Sequence, residues 1–148
     1  MNLKERITQD LKEAMKSGDK IRLETIRSIR ALILEFEKSG AGRELNHDDE
    51  LKMLSTAVKK RKDSIEQFRN GGREELAVKE EKELDILLNY LPKQLSEDEL
   101  TYEIKRIAGE IGAKSKEDFP KLMPLVMKEL KGRADGKLVK SIVEKFLS

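Results

Sequence analysis

The sequence contains no cysteine and no tryptophan, one histidine and three prolines. Without thiols there is no disulfide framework, no cysteine zinc site and no thiolate nucleophile. The single histidine, His47, sits in the polar stretch Asn46-His47-Asp48. It has no companion at metal-ligand spacing, so neither a metal site nor an imidazole base is expected, and no cofactor is implied. Long apolar runs are also missing. No stretch approaches the roughly 20 apolar residues that span a bilayer, so no membrane partner is expected. The opening residues MNLKERITQDLKEAMKSG include acids and lack the continuous apolar core of a signal peptide, which favours a cytoplasmic protein. Glycine-rich phosphate loops and nucleophile elbows are absent, and an aromatic content of 4% leaves few rings on which bases could stack.

What the chain does have is charge and helical period. Charged residues make up 41%, yet Lys+Arg 31 nearly cancels Asp+Glu 29, and a net +2 names no polyanionic partner. Only a local basic face could do so. Apolar residues recur at i, i+3 and i+4 between capping and stop signals. Asn2 with Glu5 opens a first helix that stops at Ser17-Gly18, and Asp19 caps a second running to Lys38. Asn46 or Asp48 opens a third that ends at Asn70, and Glu74-Glu75 start a fourth that stops before Pro92. Ser96 with Glu99 opens a fifth helix, closed by Gly112, and Ser115 to Asp118 open a sixth. Pro124 should bend that sixth helix or delay its start. The last helix buries Leu138, Val139, Ile142, Val143 and Phe146. The expected fold is all-α, with a four-helix antiparallel bundle over residues 1–92 followed by a small three-helix domain over 93–148.

Two polar groupings stand out. In the hairpin from Lys59 to Pro92, Arg61 interrupts one apolar stripe, and Glu80 and Glu83 interrupt the facing one. Folding at Asn70-Gly71-Gly72 sets Arg61 opposite the two glutamates. This constellation reads either as an ion pair that fixes register, joined by Arg27 or Arg30, or as paired carboxylates for acid–base work. With no nucleophile or metal beside it, the structural reading of Arg27, Arg61, Glu80 and Glu83 is favoured, and no catalytic residue is assigned. The second grouping is basic: Lys128, Lys131, Arg133, Lys137 and Lys140 could converge around the Gly132–Gly136 turn. There the amides opening the last helix could accept a phosphate, which makes these five the candidate nucleic-acid contacts.

Several pieces together resemble the GatB/YqeY family. They are Thr25-Ile26-Arg27, Arg61-Lys62-Asp63-Ser64-Ile65, Phe68, Gly72-Arg73 with Leu76-Ala77, Glu80, Glu83-Leu84, Tyr90-Leu91-Pro92 with Gln94-Leu95-Ser96, and Val126-Met127 with Gly132-Arg133-Ala134-Asp135-Gly136. One departure is Pro124, where the family tends to have glycine before the Val-Met pair. The resemblance implies a two-part helical module. In fused relatives this module is the C-terminal part of the B subunit of the Asp/Glu-tRNA amidotransferase. It is implied to hold tRNA there, while the carbon–nitrogen ligase chemistry, with glutamine as amido-N-donor, lies in other domains. The expectation is therefore a non-catalytic tRNA-binding or amidotransferase-associated module, with tRNA and amidotransferase subunits as candidate partners. The alternatives are a protein-interaction adaptor without RNA binding or, as the resemblance implies, a part of a carbon–nitrogen ligase system that uses glutamine as amido-N-donor.

Overall fold

Side chains that meet orphaned backbone amides mark where each helix begins. Asn2 Oδ1 accepts from Glu5 N at 2.8 Å, Asp19 Oδ1 from Arg22 N at 3.1 Å, and Ser96 Oγ from Glu99 N at 3.2 Å. At Asn46 the capping is reciprocal, because Asp49 returns its carboxylate to Asn46 N. In the computed structural model, which describes residues 1–148, these caps open helices α1 (Leu3–Ser17), α2 (Lys20–Lys38), α3 (His47–Asn70) and α5 (Glu97–Ile111). Helix α4 (Glu74–Leu88) starts after the α3 stop, where Gly72 takes φ +73, a conformation that costs an L side chain about 1 kcal/mol or more. A 3-10 turn (Lys116–Asp118) leads into α6 (Phe119–Glu129), and α7 (Gly136–Leu147) ends the fold.

No strand interrupts this order, so the protein is all-helical. The chain divides into two compact units, Met1–Leu91 and Pro92–Ser148. In the first, Ile7, Ile26, Ile29, Ile33, Leu54 and Leu87 bring α1 to α4 around one apolar core. Burying each such side chain stabilises the fold by about 1.5–3 kcal/mol. Ion pairs give the helix directions. Lys4–Glu37 and Arg22–Glu13 lie at opposite ends of α1 and α2, which are therefore antiparallel. Arg69 meets both Glu74 and Glu81, and α4 folds back along α3.

The second unit has its own core, in which Leu100, Ile104 and Ile107 of α5, Leu122 and Val126 of α6, and Val139 and Val143 of α7 are almost completely buried. Pro124 neither stops α6 nor delays it. It lies five residues past Phe119, so the missing N–H costs one bond, to the carbonyl of Pro120 in the opening turn. Leu138 and Phe146 of α7 are only partly buried, and two apolar residues at helix ends are exposed: Met15 near the end of α1 is 59% exposed, and Ile111 at the end of α5 is 42% exposed. Each of the latter two sits in a last helical turn, where periodicity continues but the neighbouring helix no longer covers it.

Candidate functional site

The strongest polar cluster lies inside the first unit. Arg61 follows Val58 by one turn on the buried stripe of α3, so its guanidinium is carried inward and its side chain is only 18% exposed. Nη1 donates to Glu83 and to Glu80 Oε2 at 3.2 Å, both on α4. Nη2 donates to Ser28 Oγ on α2 at 3.2 Å, and Ser28 in turn donates to the Thr25 carbonyl at 2.6 Å. Thr25 is fully buried, and its own hydroxyl donates to the Ile21 carbonyl. One guanidinium thus ties three helices together, and every buried polar side-chain atom has a partner. Arg27 is not among the partners of Arg61. It lies one residue before Ser28, on the exposed side of α2, and the short hydroxyl fills the inward position. Sequence reasoning missed Ser28 because an isolated serine in a helix carries no pattern of its own.

A second clasp closes the same unit where α4 ends. Tyr90 donates to Asp10 Oδ2 at 2.5 Å, the Arg6 guanidinium lies 4.4 Å from the centre of the Tyr90 ring, and Arg6 Nη2 donates to the Asn89 carbonyl at 2.9 Å. Burial, reinforced by the hydrogen bond to the Asp10 carboxylate, raises the Tyr90 phenol well above its usual range. The cue was visible as Tyr90-Leu91-Pro92, but not its partners, which lie about eighty positions away in the chain. At the loop before α3, Arg43 forks onto Asp49 and stacks 5.3 Å from Phe36. His47 is exposed, with Nδ1 3.7 Å from Glu50 Oε1. No three His, Cys, Asp or Glu side chains are grouped to hold a metal ion, and no helix is long and apolar enough to cross a membrane.

The basic tail residues have different surroundings from the expected cluster. Arg133 belongs to a buckle at the start of the second unit. Its carbonyl accepts from Leu95 N at 2.9 Å, its Nε donates to the Lys93 carbonyl at 3.4 Å, and Gln94 Nε2 donates to the Gly132 carbonyl at 2.6 Å. One amide in the first turn of α7 is met by the chain itself: Asp135 Oδ1 accepts from Lys137 N at 3.0 Å. Lys140 faces Glu144 at 4.0 Å, one turn along α7, and Lys128 and Lys131 are exposed near the end of α6. Elsewhere in the unit, Arg106 gathers Glu103, Glu110 and Glu129, which raise its pKa further.

These features define an all-helical protein whose principal polar cluster is internal. Residues 4–147 match the model of the Yqey-like protein family, and the chain belongs to that family. Several curated relatives share one name, Altered inheritance of mitochondria protein 41, mitochondrial. That of Pyrenophora tritici-repentis is 36% identical over 132 residues, covering 87% of this chain and 71% of the relative. That of Lachancea thermotolerans is 33% identical over 107 residues, covering 71% and 57% respectively. A Saccharomyces cerevisiae relative is 29% identical over 130 residues, covering 86% and 68%.

These relatives correct two expectations. They are named as mitochondrial proteins, which overturns the cytoplasmic assignment. Their name concerns the inheritance of mitochondria and not tRNA, which overturns the reading as a tRNA-binding or amidotransferase-associated module.

Proposed function

We propose that this chain is a functional counterpart of Altered inheritance of mitochondria protein 41, working in the mitochondrial compartment and contributing to mitochondrial inheritance. The observation that carries the reading is the 36% identity over 132 residues. That length exceeds the 91 residues of the first unit, so the likeness extends into both units. The reading includes neither tRNA nor amidotransferase subunits as partners.

On this proposal the protein acts through its surfaces. Arg61, Glu80 and Glu83 hold α3 and α4 in register as a structural lock, because their hydrogen-bonding capacity is directed at one another and at Ser28. Such a lock favours one helix pairing over slipped alternatives more than it adds net stability. The test is replacement. The chain, fused to a mitochondrial leader, is expressed in Saccharomyces cerevisiae lacking its Altered inheritance of mitochondria protein 41. Restored inheritance is the expected result, and a correctly delivered, folded chain that restores nothing would refute the proposal.

A further inference from the structure

The second unit distributes its charge unevenly. Helix α5 carries five carboxylates against two cations, whereas Lys114 to Lys145 carries nine cations against five carboxylates. Within the positive part, the 3-10 turn, the start of α6 and the second half of α7 enclose an open concavity of about 770 Å³. Its apolar lining is Phe119, half-buried, and Leu147, buried. Around these stand Lys116, Lys140 and Lys145, with Glu144 as the opposing side-chain carboxylate. Glu144 is 4.0 Å from Lys140, which leaves Lys116 and Lys145 as two ammonium groups without an ion-pair partner beside an apolar floor.

The volume falls within the range of about 300–1,000 Å³ typical of small-molecule sites, and such sites combine an apolar lining with a few convergent polar groups. A free inorganic anion would meet the lysines but leave the floor wet. A neutral apolar ligand would cover the floor but leave the ammonium groups unmatched. We propose that this concavity binds an anionic amphiphile, its carboxylate or phosphate head held by Lys116 and Lys145 and its chain laid over Phe119 and Leu147. The lysines supply charge-assisted hydrogen bonds, and their flexible stems let the head be reached at little strain. Lys128, Lys131, Arg133 and Lys137 do not line the concavity.

The test uses the full chain and backbone-amide NMR, with monomeric decanoate as probe and decyl maltoside and inorganic phosphate as comparisons. Decanoate should shift amides of residues 116–119 and 140–148. Lys116→Glu combined with Lys145→Glu, both exposed, should weaken its binding about tenfold or more while leaving helicity unchanged. Phe119→Ala should weaken it as well. A parallel flotation assay compares phosphatidylcholine vesicles with and without phosphatidylglycerol. Lysine-dependent binding to the anionic vesicles identifies a lipid headgroup as the source, and binding to decanoate alone identifies a free acid; both support the site. Decanoate shifts scattered over the chain, decanoate binding indifferent to the charge reversal, or phosphate binding as tightly as decanoate would overturn it. None of these outcomes bears on the mitochondrial reading, which rests on the relatives.

Discussion

Arg61 of α3 and Glu83 of α4 are paired across the helical hairpin, with Glu80 Oε2 3.2 Å from the same guanidinium nitrogen. The side chains of Glu83 and Glu80 are 10% and 25% exposed, so removing the arginine leaves two carboxylates partly desolvated and close to each other. Arg61→Met should therefore destabilise the protein by about 2–3 kcal/mol, below the roughly 3–5 kcal/mol of a fully buried pair because water reaches this one. Adding Glu80→Gln and Glu83→Met should recover most of the loss. Urea denaturation of the three chains checks this, and a triple variant as unstable as Arg61→Met would argue against the pairing as the cause.

Tyr90 supplies a prediction at high pH. Its folded pKa is raised, so the folded state holds the phenolic proton more tightly than the unfolded chain, whose value is about 10. The corresponding stability is fully present below pH about 10 and is lost as pH rises above it toward the folded value. Tyr90→Phe should cost about 1.5 kcal/mol at neutral pH by removing the hydrogen bond to Asp10, and progressively less above pH about 10. Chemical denaturation as a function of pH, with tyrosinate absorbance followed in parallel, measures both effects.

Asp118 and Glu99 give the converse at low pH. Hydrogen bonds from Lys114 N and Ser115 N depress the pKa of Asp118, and those from Ser96 depress that of Glu99. Their contribution is present above the unfolded values of about 4 and is lost as pH falls through the depressed folded values. Asp118→Asn should flatten the dependence of melting temperature on pH between about 5 and about 2. An unchanged slope would show that the carboxylate does not cap the 3-10 turn in solution.

The hairpin turn makes a purely conformational prediction. Gly72 has φ +73 and open space where a Cβ would be built, so Gly72→Ala meets backbone strain and no clash. The expected loss is about 1 kcal/mol, read from thermal or urea unfolding. A neutral result would place the turn in another conformation.

Helix boundaries were legible in the sequence because they are local. Asn2, Asp19, Asn46 and Ser96 each bond an amide three residues on, and any reader of spacing finds them. The Arg61–Glu80–Glu83 grouping was legible for a related reason, since a short turn fixes which residues of two helices face each other. Partners fixed by tertiary packing were not legible. Ser28 meets Arg61 33 positions away, and Asp10 meets Tyr90 80 positions away, with no spacing rule linking either pair. A run of lysines and arginines looks the same in sequence whether or not the backbone beside it is engaged. The bonds of Arg133 to Lys93 and Leu95, and of Asp135 to α7, are contacts of the fold that charge spacing does not report. Function was the least legible, because the strongest polar cluster visible in the sequence is directed at partners within the fold.

The most direct test of the functional account is the fraction of daughter cells inheriting normal mitochondria in Saccharomyces cerevisiae deprived of its Altered inheritance of mitochondria protein 41. This chain, delivered to mitochondria, should raise that fraction to the wild-type level, and Arg61→Met should raise it less, in proportion to the folded protein that remains. A fraction no different from the empty-vector control, with folded chain demonstrated inside the organelle, would contradict it.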